Sequence, residues 1–211
     1  MDRSKSMKLN LPGILTFLLL ISAPFSTYLA QIPRASQISM MFENLRRASS
    51  DDERLILHND LKTLLRETLD DIDSSEPLAE LMAQWPAGIA SAGKGDELVT
   101  VISWNSERQD RTQDYGAFVI YGFDNSGQFE TLKWTELIHD RNEDPKDESR
   151  SYRVDDWPGA IYYDLILTHD GKTPVYTLLG WDGANAQVTR KVMETMVISN
   201  DYIRIGVPYL N

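Results

Sequence analysis

Near residue 96 of this 211-residue chain, the apolar residues stop recurring at every third or fourth position and begin to alternate. This change of period limits the fold more than any other feature of the sequence. Spacing of i, i+3, i+4 and i+7 puts apolar side chains on one face of a helix, whereas alternation puts them on one face of a strand. Between residues 36 and 86 the helical spacing holds. Ile38, Met41, Phe42 and Leu45 make one stripe; Leu57, Leu61, Leu64, Leu65, Leu69 and Ile72 make a second, opposite the water-facing Arg54, Asp60, Lys62, Arg66 and Asp70. Ser50 and Glu53 have the spacing of a capping box. A third, short helix is expected from Ser75, with Pro77 in its first turn and Pro86 ending it, burying Leu78, Leu81, Met82 and Trp85.

From residue 97 the apolar runs are β-branched or aromatic and are separated by polar turns, which predicts strands over 98–104, 117–121, 128–132, 162–168, 173–179, 188–198 and 202–207. Between the fourth and fifth, Asp170 and Gly171 supply the positive φ that a tight hairpin needs, and Asp182 with Gly183 opens the next turn. Sequential strands joined by such turns form a mainly antiparallel β-sheet. Helices gathered before the sheet, not between its strands, make the class α+β, with the amino-terminal helices packed on one face. Residues 31–95 read as a helical segment and linker and 96–211 as an antiparallel β segment, together one domain. The stretch Gly88 to Gly95 matches G-x-x-x-x-G-K, but Gly95 stands where a phosphate-binding loop needs Ser or Thr, and a strand follows where a helix should. It reads as the linker.

Ahead of all this, Arg3, Lys5 and Lys8 precede an apolar run from Leu11 to Ile21 and then small residues at Ser22, Ala23 and Ser26. That is the layout of a cleavable signal peptide over residues 1–30, cut after Ala30 or after Ala23. The apolar run is about half of the roughly 20 residues a spanning helix needs, so no stable membrane span is expected after cleavage. The protein is therefore expected to be periplasmic or secreted. Its formal net charge is −11, and removal of the basic leader makes the remainder more acidic, which argues against nucleic acid or anionic lipid as partner. No cysteine occurs. Thiol catalysis, cysteine-ligated metals and a lipid-attachment cysteine are thereby excluded.

Few motifs carry chemistry. His58, His139 and His169 lack metal-ligand spacing, and no G-x-S-x-G elbow supports a serine triad. The acidic stretch containing Asp140, Asn142, Glu143, Asp144, Asp147 and Glu148 offers the oxygen ligands calcium prefers, without the spacing of an EF-hand; no cofactor is expected beyond that option. Asp155, Asp156, Asp164 and Asp182 stand near Trp157, Tyr162, Tyr163 and Trp181, a pairing of carboxylates with aromatic platforms that suits glycan hydrolysis. The low-specificity binding loop drawn from these is Trp157, Tyr163, Trp181, Asp182 and Asn185; no catalytic residue is assigned. Most such residues serve as core aromatics and turn formers.

The carboxy-terminal half resembles a group of uncharacterised exported bacterial proteins. The matching residues are Trp157, Gly159, Ala160, Ile161, Tyr162 and Tyr163; then Tyr176 to Gly183, reading Y-T-L-L-G-W-D-G, with Asn185 beyond; then Arg190, Lys191 and Val192; and finally Gly206, Val207 and Pro208. Trp104 with Asn105 resembles an upstream counterpart. The resemblance implies export and brings no activity with it. Members of that group continue past the closing Gly-x-Pro, whereas this chain ends three residues later, so residues 202–207 are expected to be an edge strand open to a partner. The functional expectation is an acidic, exported, non-catalytic binding or structural module of the cell envelope, with an unknown protein or small ligand as partner. The alternative is a carboxylate-dependent envelope hydrolase acting on glycans.

Overall fold

A computed structural model of the chain describes residues 33–72, 79, 82–83, 85–123, 129–141, 150–199 and 202–209, all within one compact unit, Pro33–Asn211. The expected signal peptide, most of the third helix and the acidic stretch from Asn142 to Glu148 lie outside the described residues.

Two helices come first. Helix α1, Arg34–Arg47, buries Ile38, Phe42 and Leu45, and α2, Asp51–Asp70, buries Leu61, Leu65 and Leu69. The Ser50 hydroxyl caps α2 by accepting the Glu53 N–H at 3.2 Å. The returning Glu53 carboxylate takes the backbone N–H of Ser49, one residue before the cap, at 2.7 Å. Lys62 is covered where it was expected to face water, and Arg66 stays partly exposed: the two converge on Glu136 at 3.2 and 2.5 Å, and that carboxylate's side chain is only 10% exposed.

The strands form two four-stranded antiparallel sheets, which corrects the expectation of one. In the first, the order is β1 (Gly88–Ala92), β2 (Val99–Glu107), β3 (Gln113–Phe123) and β4 (Phe129–Leu137); in the second, β5 (Ile161–Asp170), β6 (Thr173–Asp182), β7 (Arg190–Ser199) and β8 (Tyr202–Ile205). The β5–β6 hairpin pairs Asp170 with Thr173 across a two-residue loop. Gly171 alone carries positive φ there, +60°, at the first central position, as a type II′ turn requires. Strand β1 corrects the linker. Its Gly, Ala and Ser content resembles linker composition because bulk is excluded: a Cβ at Gly88 would stand 2.5 Å from the Tyr162 carbonyl oxygen and 2.6 Å from Ile161 Cγ2.

Alternation along β2 and β3 fills both sides of the first sheet. Ile102, Trp104, Phe118 and Ile120 join Ile38, Phe42, Leu45, Leu61, Leu65 and Leu69 in one buried cluster with the helices. Val99, Val101, Tyr115, Ala117, Val119 and Tyr121 join Tyr162, Leu165, Tyr176, Leu178, Met196, Ile203 and Ile205 of the second sheet in another. A fully buried leucine or isoleucine contributes roughly 1.5–3 kcal/mol, so both faces of β2 and β3 hold the layers together.

The sandwich is tied along both sides. On one, β1 lies against β5, and the Tyr162 N–H of β5 donates at 2.7 Å to the hydroxyl of Ser103 on β2, the residue paired with Gly88. On the other, the chain leaving β4 pairs with the segment that leads to β5: Ile138 N–H donates to Val154 O at 2.6 Å, and Asp140 N–H to Trp157 O at 2.8 Å. That same segment reaches β8, since Tyr152 and Ile205 exchange backbone hydrogen bonds at 2.7 and 2.9 Å. Strand β8 is at the edge of its sheet, as expected, but the expected opening to a partner is partly filled: Tyr152 occupies its outer side at Ile205.

Candidate functional site

Ahead of β5 the chain inserts Trp157, which is fully buried. Gly159 permits its close approach to β3. Its φ is +86°, and a Cβ would fall 2.1 Å from Tyr115 Cδ2 and 2.8 Å from His139 Cδ2. Tyr115, on the inward face of β3, is thus enclosed by the His139 ring at 5.1 Å and the Trp157 ring at 6.2 Å, both edge-on.

Two buried carboxylates stand against this aromatic cluster. Asp182, 4% exposed at the end of β6, accepts the Tyr115 hydroxyl at 2.8 Å and the Ala184 N–H at 2.9 Å on Oδ1, and the Arg190 guanidinium at 3.1 Å on Oδ2. The Tyr115 oxygen in turn accepts the Gly183 N–H at 2.8 Å. Deeper in the sandwich, the Trp157 indole N–H donates to the Tyr162 hydroxyl at 2.8 Å, and Tyr162 donates to Glu194 at 2.5 Å. Burial, followed by the charge of Asp182, drives the Tyr115 pKa far above its ordinary value; burial and the Glu194 charge do the same to Tyr162. Both tyrosines remain protonated donors at neutral pH. His139 Nδ1 accepts the Tyr115 backbone N–H at 3.2 Å, which leaves the proton of the neutral ring on Nε2.

Above this floor is a cavity of about 180 Å³ lined by Gln113, Tyr115, His139, Asp140, Arg141, Asp182 and Arg190, among others. Arg141 is anchored to Asp114 at 2.5 Å while its side chain stays half exposed. Acids, guanidiniums and an imidazole so close together suit a small polar ligand.

Of the five expected binding residues, the structure brings Trp157 and Asp182 together through Tyr115. The far edge of Trp181 lies against Gly183, where a Cβ would come within 2.5 Å of Cη2. Asn185 turns inward on its own loop, accepting the N–H groups of Gln187 and Val188 at 2.9 and 3.2 Å. Tyr163 is 54% exposed at the β5 bulge, away from Tyr115, with no part in the cavity. Asp155 and Asp156 bind the guanidiniums of Arg153 and Arg150, and Asp164 accepts the N–H of Leu165. The sequence did not single out Tyr115, Gln113 or Arg141, and Arg190 entered only through the resemblance, with no role attached. Of the first three, only Tyr115 had a signal, its place in phase with the inward residues of β3.

Among the described residues, no group of three His, Cys, Asp or Glu side chains could hold a metal ion, and no helix is long and apolar enough to cross a membrane. Comparison with protein-family models, curated proteins and solved structures finds no match to this chain.

Proposed function

We propose that the chain is an exported, non-catalytic binding module of the bacterial envelope and that it takes a small polar ligand in the cavity above Tyr115. The observation that carries this reading is the engagement of Asp182. Tyr115, Ala184 and Arg190 all donate to it, so it is held as a structural acceptor and not as a poised acid or base. Export rests on the basic-then-apolar leader, and calcium is given no role.

Thermal unfolding of the full chain with monosaccharides, amino acids and dicarboxylates tests the binding reading. One class should raise Tm in proportion to the logarithm of its concentration, and Arg141→Ala should abolish the rise. A panel without any such response would sink it. For export, the polypeptide recovered from cells should begin at Gln31 or Pro24; chains that retain Met1 would refute the leader. Calcium and a chelator should give the same Tm.

The hydrolase reading keeps one observation in its favour, that Asp140 and Asp182 line the same cavity. It predicts turnover of envelope glycan fragments that Asp140→Asn and Asp182→Asn each abolish in folded protein. Mass spectrometry of the fragments would separate it from the binding reading.

A further inference from the structure

A second cavity, of about 400 Å³, lies between α1 and the corner where β1 meets β5. Its chemistry is unlike the first. Phe42, Leu45, Pro86 and Ile161 give it apolar walls, and among the described residues no acidic side chain lines it although the chain is strongly acidic overall. Its volume is within the range of about 300–1,000 Å³ typical of small-molecule sites.

One hydrogen-bonding cation belongs to this lining. Trp104 forms part of the wall, 3% exposed, but its indole nitrogen is itself buried and presents no donor to the cavity. Arg46 also lines the cavity with its side chain 57% exposed; it donates to the Pro86 carbonyl at 3.1 Å and approaches Glu43 at 3.6 Å. The amide of Asn105 is occupied by Gln113 at 2.7 Å. Apolar walls with a half-exposed guanidinium at their rim suit an amphipathic anion, which would compete with Glu43 for Arg46.

We propose that this cavity binds a medium-chain or aromatic monocarboxylate, its apolar body against Phe42, Leu45 and Ile161 and its carboxylate at Arg46. Titration calorimetry of the full chain with decanoate, benzoate and decan-1-ol tests this. At least one of the two acids should bind the wild type and lose about tenfold in affinity in Arg46→Gln, the size expected for one charge-assisted hydrogen bond. Decan-1-ol should not distinguish the two proteins. Ala87→Trp, which fills the cavity, should abolish binding of all three with the circular dichroism spectrum unchanged; if that variant does not fold, the comparison of Arg46→Gln with wild type decides. Absence of binding by both acids, equal affinity in Arg46→Gln, or undiminished binding in a folded Ala87→Trp would each overturn the assignment.

Discussion

Asp182 accepts hydrogen bonds from the Tyr115 hydroxyl, the Ala184 N–H and the Arg190 guanidinium. A methyl group in its place would leave two of those donors buried without acceptors, and Arg190 is too confined, at 31% side-chain exposure, to recover all of its loss in water. The expected cost of Asp182→Ala is about 3 kcal/mol, read as a lower urea midpoint at unchanged slope. Asp182→Asn keeps an acceptor and should lose about half as much. A loss below 1 kcal/mol for the alanine variant would mean that Asp182 is the simple turn former its Asp-Gly context suggests. At this scale the sequence conveys residue type but not direction: Asp155, Asp156 and Asp164 look as eligible as Asp182, and only the β6 register turns Asp182 inward.

At the scale of elements, β1 is the test of how the two sheets meet. Gly88→Ala would drive a methyl group to 2.5 Å from the backbone oxygen of Tyr162, which cannot yield as a flexible side chain would. The expected cost is about 1–3 kcal/mol, with amide exchange accelerating first in Gly88–Ala92 and at Tyr162. Uniform acceleration across all eight strands would instead place the effect in global stability. The Lys62 and Arg66 contacts tie α2 to β4 in the same way, and Glu136→Gln should cost about 1 kcal/mol, less at high salt.

The helices were legible because Leu61, Leu65 and Leu69 repeat at helical spacing, and the β5–β6 hairpin because Gly171 has one conformational use. Strand β1 was hidden because close approach requires Gly88 and the rest of its buried face is alanine, the composition of a linker. Division into two sheets was hidden because nothing local in residues 138–140 or 152–157 says that they pair with each other and with β8 instead of extending one sheet. Gln113, Arg141 and Arg190 had no apolar period to place them.

For the molecule as a whole, the ties at β1–β5 and at Tyr152 leave neither sheet free to separate alone, and the helices share a buried cluster with the first sheet. Disturbance at that helix–sheet interface should therefore unfold everything described here in one transition. His58 provides a way to apply it. The ring is 5% exposed, 5.7 Å from the Trp104 ring, with no partner on Nδ1. Burial lowers its pKa most, to about 3, with Lys62, His139 and Arg141 adding repulsion and the Tyr115 backbone opposing them. Below pH 6.5 the unfolded chain protonates this histidine while the folded chain does not. Stability from this group is therefore complete above pH 6.5 and falls by up to about 1.4 kcal/mol per pH unit as the pH drops towards 3. Carboxylates contribute their own slope at the acid end, so the comparison that isolates His58 is with His58→Leu, which keeps an apolar group against Trp104. Between pH 6 and pH 4.5 the urea midpoint of the wild type should decline more steeply than that of the variant. Parallel declines would show that His58 does not govern acid unfolding, whereas a difference shared by fluorescence and far-ultraviolet signals would show that protonating one helix residue dismantles both sheets together.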